Sequence, residues 1–178
     1  MRLALFQGGF DMEAAAAVAG AALPELAGLV DKSLVRVDAA GRYDLHVLLR
    51  QYAQDKLANA GEHGSTMQRF LDYYIQLAEV GEAHVYGPEQ SVWYDRLEAE
   101  IDNLRAALSW SLDHDACEVG LRIAAALRWV WEARGYLEEG FVWFARLLAQ
   151  SSAAAPSVRA KALSRASELG GQLAHEPQ

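Results

Sequence analysis

Residues 26–57, LAGLVDKSLVRVDAAGRYDLHVLLRQYAQDKL, read as helix, strand, tight turn, strand and helix in one short stretch. Leu34-Val35-Arg36-Val37 is β-prone, Ala39-Ala40-Gly41 supplies a turn, and Arg42-Tyr43-Asp44-Leu45 returns the strand. From His46 the apolar period changes from about two to about 3.6. Leu48, Leu49, Tyr52, Ala53 and Leu57 then share one helical face, and Gly61 is placed to end it. Upstream, Asp11 stands as an N-cap for a short helix over Met12–Ala19 that Gly20 stops. Pro24 opens a second short helix, Glu25–Val30. Helix, helix, hairpin, helix is the order of a winged helix-turn-helix, with the strand pair as its wing. The opening MRLALFQGGF reads as the end of another element, because an apolar run enters Gly8-Gly9 with no helix start. Glu62–Ser65 is a polar joint, so the winged-helix domain is placed at 1–61.

The remainder, 62–178, is a different kind of sequence. Met67–Val85 carries Phe70, Leu71, Tyr74, Leu77 and Ala78 at helical spacing, and Gly87-Pro88 breaks it. A long segment from Glu89 to His114 follows, expected to bend near Glu100–Asn103. Helices over Glu118–Ala133 and Tyr136–Gln150 flank Gly135. A linker, Ser151–Pro156, precedes a last helix, Ser157–Leu173, and a frayed tail HEPQ. Two helices, a turn and a proline restart give a unit of roughly forty residues, near the tetratricopeptide and HEAT range. Such a unit cannot bury its apolar face alone and stacks on neighbours. The last helix has no following partner, so the array reads as truncated at its C-terminal end. An uncapped array end is expected to self-associate. The fold class is therefore mainly α: a small winged helix-turn-helix with a two-stranded wing, then a TPR-like α-helical array.

Composition narrows the function classes. The 178 residues are 52% hydrophobic and 22% charged, ordinary for a globular chain. The net charge of −8 disfavours broad attraction to nucleic acid or anionic membrane. One cysteine, Cys117, precludes an intramolecular disulfide, and no apolar run is long enough to span a bilayer. With no signal-peptide pattern either, the expected location is cytoplasmic.

The quoted stretch resembles the winged-helix segment that follows the nucleotide-binding domain in bacterial STAND-type, NB-ARC-like ATPases, many of them transcriptional regulators. LALFQGGFDMEAAAAVAG before it and GPEQSVWYDRLEAEIDNLRAALSW after it resemble the same family. ALRWVWEARGYLEEGFVWFARLLA resembles the entry to its tetratricopeptide-like helices. The resemblance implies an ATPase core that switches between ADP- and ATP-bound states, a winged helix packed on it, and a repeat array that senses an effector. The chain has no GxxxxGK[ST] phosphate loop, so by itself it is expected to need no cofactor, ATP and ADP belonging to a full-length parent.

Several residues carry a functional reading beside a plain one. The resemblance assigns His46 the contact to the ADP phosphate, and imidazole can donate to phosphate. Here the motif reads Leu-His-Val and lacks the family's trailing acid. The plain reading is a histidine near a helix start, bonded locally. Lys32, Arg36, Arg42 and Arg50 would serve DNA phosphates if they formed one face. Residues 1–61 hold six Lys or Arg against seven Asp or Glu, so a mixed solvated surface is preferred and DNA contact by this chain is not expected. Asp95, Glu98, Glu100 and Asp102 read as a solvated helical face with Arg96 and Arg105. Histidines 46, 63, 84, 114 and 175 form no metal-ligand pattern, and Cys117 reads as a small core residue.

The tryptophans are the main binding candidates. Trp93, Trp110, Trp129, Trp131 and Trp143 crowd one region with Tyr136, Phe141 and Phe144. Most should be core. Trp129 and Trp131 point about 200° apart on a helix, so one of them faces a groove or an adjoining repeat. Trp129, Trp131 and Tyr136 are the expected contacts to an effector. The function that follows is non-catalytic: the array binds a protein or small-molecule effector, and the winged helix relays to an upstream nucleotide-binding domain. The alternative is a stand-alone winged-helix DNA-binding transcription factor.

Overall fold

A computed structural model describes residues 1–174, and the tail HEPQ, His175 included, lies outside the described residues. The fold is mainly α, with one two-stranded antiparallel sheet among the described residues. The described chain divides into two compact units, one over Met1–Tyr73 and one from Tyr74 onward.

In the first unit, Arg2–Leu5 forms one 3-10 turn where the sequence pattern predicts no helix, and it buries Leu3, Ala4 and Leu5. Helix α1 starts at Met12, capped by Asp11, whose Oδ1 accepts from the Ala14 N–H at 2.7 Å. It is α-helical over Met12–Ala14 and widens to a π-turn over Ala15–Ala19, ended by Gly20 at φ 67°. Helix α2 spans Leu23–Asp31 with Pro24 in its first turn, where the missing N–H costs nothing. Strands β1, Val35–Val37, and β2, Tyr43–Leu45, pair with Val35 opposite Leu45 and Val37 opposite Tyr43. Their loop carries Gly41 at φ 78°, and Asp38 Oδ1 accepts from the Ala40 and Arg42 N–H groups. A short loop with a left-handed glycine is a favoured hairpin closure. Phe10 adds an isolated bridge to Tyr43, so the wing is tied to the chain start. Helix α3, Val47–Asn59, completes helix, helix, hairpin, helix.

Aromatic rings fill the middle of this unit. Phe6 stacks on Phe10 at 4.4 Å and meets Phe70 at 5.8 Å, and all three rings are buried. The expected apolar face of α3 is corrected in part. Ala53 and Leu57 are buried, but Leu48 and Tyr52 are 73% and 56% exposed. The periodicity is real, yet the module is too small to cover the whole stripe. The expected polar joint is also shorter, because helix α4 already begins at His63 and runs to Ala83.

The second unit is a succession of helices joined by short loops. After the last part of α4 come α5, Gln90–Ala99, and α6, Ile101–Asp113, with the expected bend at Glu100. Then follow α7, Cys117–Arg134, α8, Leu137–Gln150, and α9, Pro156–Leu173. Gly135 at φ 76° ends α7 in the left-handed conformation. Helix α7 is the centre: it packs on α5, α6, α8 and α9 and buries Leu121, Ile123, Leu127, Val130 and Trp131. Short connections between neighbours of this kind build a helical array. No single helix among the described residues is long and apolar enough to cross a membrane.

Candidate functional site

His46 is the N-cap of α3. Its Nδ1 accepts from the Leu48 N–H at 3.3 Å, which leaves the ring proton of the neutral form on Nε2. The residue is exposed, so Nε2 is open to a partner outside the helix. This local bond is the plain reading of His46, and it also fixes the ring as an outward donor.

Two of the arginines of the winged unit are engaged within its own fold. Arg42 donates to the Gly9 carbonyl at 2.6 Å, and Arg50 donates to the Gln7 carbonyl at 2.9 Å and to Asp44 at 3.0 Å. Both guanidinia therefore hold loops together. Lys32 and Arg36 are exposed, and Arg36 lies opposite Asp44 across the hairpin.

In the helical unit the two central tryptophans separate as their spacing requires. Trp131 is fully buried, with Phe144 edge-on at 5.7 Å. It is corrected from an effector contact to a core residue, because α8 and α9 close over its side of α7. Trp129 lies on the other side and is only partly covered. Its ring is not bare: the Arg128 guanidinium lies 3.8 Å from its centroid, Arg165 lies 5.4 Å away, and Tyr86 meets it edge-on at 5.0 Å. Carboxylates hold these arginines in place. Arg128 pairs with Glu132 at 2.7 Å and Glu168 at 3.3 Å, and Arg165 pairs with Glu82 and Glu168. Tyr136, half-buried, faces Arg105 at 5.4 Å.

A chain matched nearly end to end by a longer protein gives this geometry a context. The chain is similar to putative HTH-type transcriptional regulators. One from Mycobacterium tuberculosis is 38% identical over 190 residues, covering 99% of this chain and 21% of the relative. One from Mycobacterium bovis matches to the same extent. An uncharacterized protein of Mycobacterium tuberculosis is 38% identical over 90 residues, covering 44% of this chain and 23% of its own length. The chain thus spans about a fifth of the length of the curated relatives it matches. No family model matches the chain, and no solved structure matches it.

The cations over Trp129 belong to a set. Arg96 lies over Trp93, Arg146 over Trp143 and Arg105 over Tyr136, each between 5.1 and 5.4 Å from the ring centroid. An arginine over an aromatic face is attracted by the ring's quadrupole. The i, i+3 spacing of Trp93–Arg96 and Trp143–Arg146 is visible in the sequence. The pairing of Trp129 with Arg165 of α9 is not, since only packing brings those helices together.

The acidic run is corrected at one residue, Glu100. Asp95, Glu98 and Asp102 are paired at the surface with Arg134 and Arg105, as a solvated face would be. Glu100 is instead 2% exposed, at the joint between α5 and α6. Its Oε2 accepts from the Tyr74 hydroxyl at 2.7 Å and from Asn103 Nδ2 at 2.8 Å. Both donors are buried as well, so the bend is pinned by a desolvated polar cluster. Cys117 is buried, and burial, with the Asp115 charge beside it, pushes its thiol up. Among the described residues no cluster of His, Cys, Asp and Glu is arranged to hold a metal ion.

One ion pair gives a pH prediction. Arg105 donates twice to Glu139, at 2.7 and 2.6 Å, and Trp143 adds a third bond at 3.2 Å. The hydrogen bonds from Arg105 hold the Glu139 carboxyl below its ordinary range, against a smaller upward push from burial. A carboxyl lowered in the folded state contributes stability that is complete above its unfolded value, about 4.3, and is lost as pH falls through the folded value. Denaturant titrations of the wild type and Glu139→Gln are expected to differ at pH 6–7, with the gap narrowing as pH falls below the unfolded value toward the lowered folded one. A gap that persists unchanged at pH 3 would show that the charge is not its source.

Proposed function

We propose that this chain is a non-catalytic regulatory segment of a larger transcriptional regulator of the STAND ATPase type. The helical array, TPR-like in its helix-pair order, receives a protein or small-molecule effector at the surface around Trp129 and Tyr136. The winged module relays that event to an upstream nucleotide-binding domain of the same polypeptide. The observation that carries the reading is the similarity over 99% of the chain to a putative HTH-type transcriptional regulator about five times its matched length. The order of the fold supports it, as does His46, whose Nε2–H is open to a nucleotide phosphate. On this reading the chain has no cofactor of its own and works in the cytoplasm, the nucleotide being held by the parent protein.

The test uses the full-length parent. Purified without added nucleotide, it is expected to retain ADP, and His46→Ala is expected to raise the ADP dissociation constant roughly ten-fold or more, as loss of a charge-assisted hydrogen bond requires. A parent that binds no nucleotide, or binds ADP equally well with alanine at position 46, would overturn the relay.

A second reading is favoured by the helix-turn-helix in the relatives' description and by the exposed Lys32 and Arg36: the winged module contacts DNA. It requires binding to duplex DNA that weakens steeply with salt, with a shallower slope in Lys32→Ala and Arg36→Ala.

A further inference from the structure

One arginine holds both carbonyls that flank His46. That histidine stands at the corner between β2 and α3, at φ −58° and ψ 138°. The peptide plane before it sets φ, and the plane after it sets ψ. The carbonyl of the first plane, on Leu45, accepts from the Arg50 guanidinium at 3.2 Å. The carbonyl of the second, on His46 itself, accepts from the Arg50 backbone N–H at 2.9 Å. The guanidinium is fixed in turn. Its Nη2 also donates to Asp44 Oδ1 at 3.0 Å, its Nη1 donates to the Gln7 carbonyl at 2.9 Å, and the side chain is only 16% exposed. We propose that Arg50 is the positioning residue for His46: it sets the corner from which the imidazole turns its Nε2–H outward. The proposal rests on the reading of His46 as the donor to a nucleotide phosphate.

The two bonds differ in what they require. The backbone bond belongs to the first turn of α3 and forms with any side chain at position 50 that leaves the N–H in place. The bond to the Leu45 carbonyl needs the guanidinium. Without it, the corner rests on the pairing of β2 and on the 3.3 Å bond from the Leu48 N–H to His46 Nδ1. Three acceptors around one group suit a planar fork with donors in fixed directions. A lysine ammonium, a point charge on a flexible stem, does not hold such a set in one geometry. The Gln7 arm adds a coupling. On the relay reading, the polypeptide enters from the nucleotide-binding domain through residues 1–10. A shift of that segment pulls on the guanidinium that holds the Leu45 carbonyl, so the His46 ring follows it. Gln54, one turn further along α3, ties the same segment by donating to the Ala4 carbonyl at 3.1 Å.

Two measurements test this. In the 178-residue chain, nitrogen NMR of the imidazole at about pH 8.5, where a free ring is neutral, reads the His46 tautomer. The wild type is expected to show the Nε2–H form alone. Arg50→Lys, folded by circular dichroism, is expected to shift toward the mixed signals of free histidine. In the full-length parent, Arg50→Lys is expected to raise the ADP dissociation constant about three- to ten-fold, but less than about two-fold when His46 is already alanine. An arginine that only stabilises the fold would change both backgrounds by one factor. Gln54→Ala is expected to keep ADP affinity within about two-fold of the wild type. Should Arg50→Lys fail to fold, Asp44→Ala, at a residue 52% exposed, is expected to move the imidazole signals the same way by releasing one acceptor of the fork. An unchanged His46 spectrum in the folded variants, or equal factors in the two backgrounds, would overturn the proposal. A His46→Ala parent that binds ADP as tightly as the wild type overturns the relay instead, and the imidazole spectrum alone then decides the role of Arg50.

Discussion

Trp131→Ala is expected to lower the stability of the helical unit by about 3–5 kcal/mol, while Trp129→Ala, two residues away, costs under about 1 kcal/mol. The difference comes from where each ring lies. Trp131 is fully buried in the core under α8 and α9, and truncation there leaves a cavity that rigid helices cannot close. Trp129 borders solvent, and its arginine partners keep their carboxylates when the ring is gone. In thermal melts the first variant should lose at least about 12 °C and the second only a few degrees. Trp131→Phe is expected to fall well short of the alanine loss. The Trp131 indole N–H is buried without a hydrogen-bond partner among the described residues, and its removal relieves a desolvation penalty. Equal losses at positions 129 and 131 would refute the division of the two rings between core and surface.

Gly140→Ala is the second large effect. A Cβ at Gly140 would lie 2.4 and 2.6 Å from Trp131 ring atoms and 2.8 Å from Leu169 Cδ2. A packed indole cannot move aside, so α8 itself must shift. Overpacking of this kind costs about 1–3 kcal/mol or more, and only about 1 kcal/mol returns as helix propensity. A net loss of about 2 kcal/mol is expected, measured by chemical denaturation. Gly120→Ala should cost less. Its nearest contact, at 2.4 Å, is the flexible end of Leu147, although Ser111 Cβ follows at 3.1 Å. Gly171→Ala is the control, because none of the described residues lies within 4 Å of its Cβ position. It should stabilise α9 by about 0.5–1 kcal/mol. A destabilised Gly171→Ala beside a neutral Gly140→Ala would contradict the packing of α8 on α7 and α9.

Helices α7 and α8 separate local signals from the effects of packing. Gly135 marks the end of α7, and the spacing of Trp129 and Trp131 requires them to take opposite sides. Which side is covered depends on α8 and α9, whose placement rests on contacts distant in sequence. Sequence therefore supplies the pair and packing supplies the roles. Arg165 meets the same limit: a surface arginine of α9 by composition, it becomes the second cation over Trp129 only once α9 lies against α7.

The winged module is legible for a local reason. Asp11 as cap, Gly20 and Gly61 as stops, Pro24 in a first turn and Gly41 in the hairpin act through backbone geometry within a few residues. Such signals need no partner, so the order helix, helix, hairpin, helix is determined by sequence alone. So are the bend at Glu100 and the succession of helices after it. The tertiary structure alone decides burial. It leaves Leu48 and Tyr52 in solvent although they share the apolar stripe of α3, and it encloses Glu100 although it belongs to an acidic run. Periodicity states which residues share a face of a helix. Only the neighbouring elements, brought together by contacts far apart in the chain, determine whether that face meets protein or water.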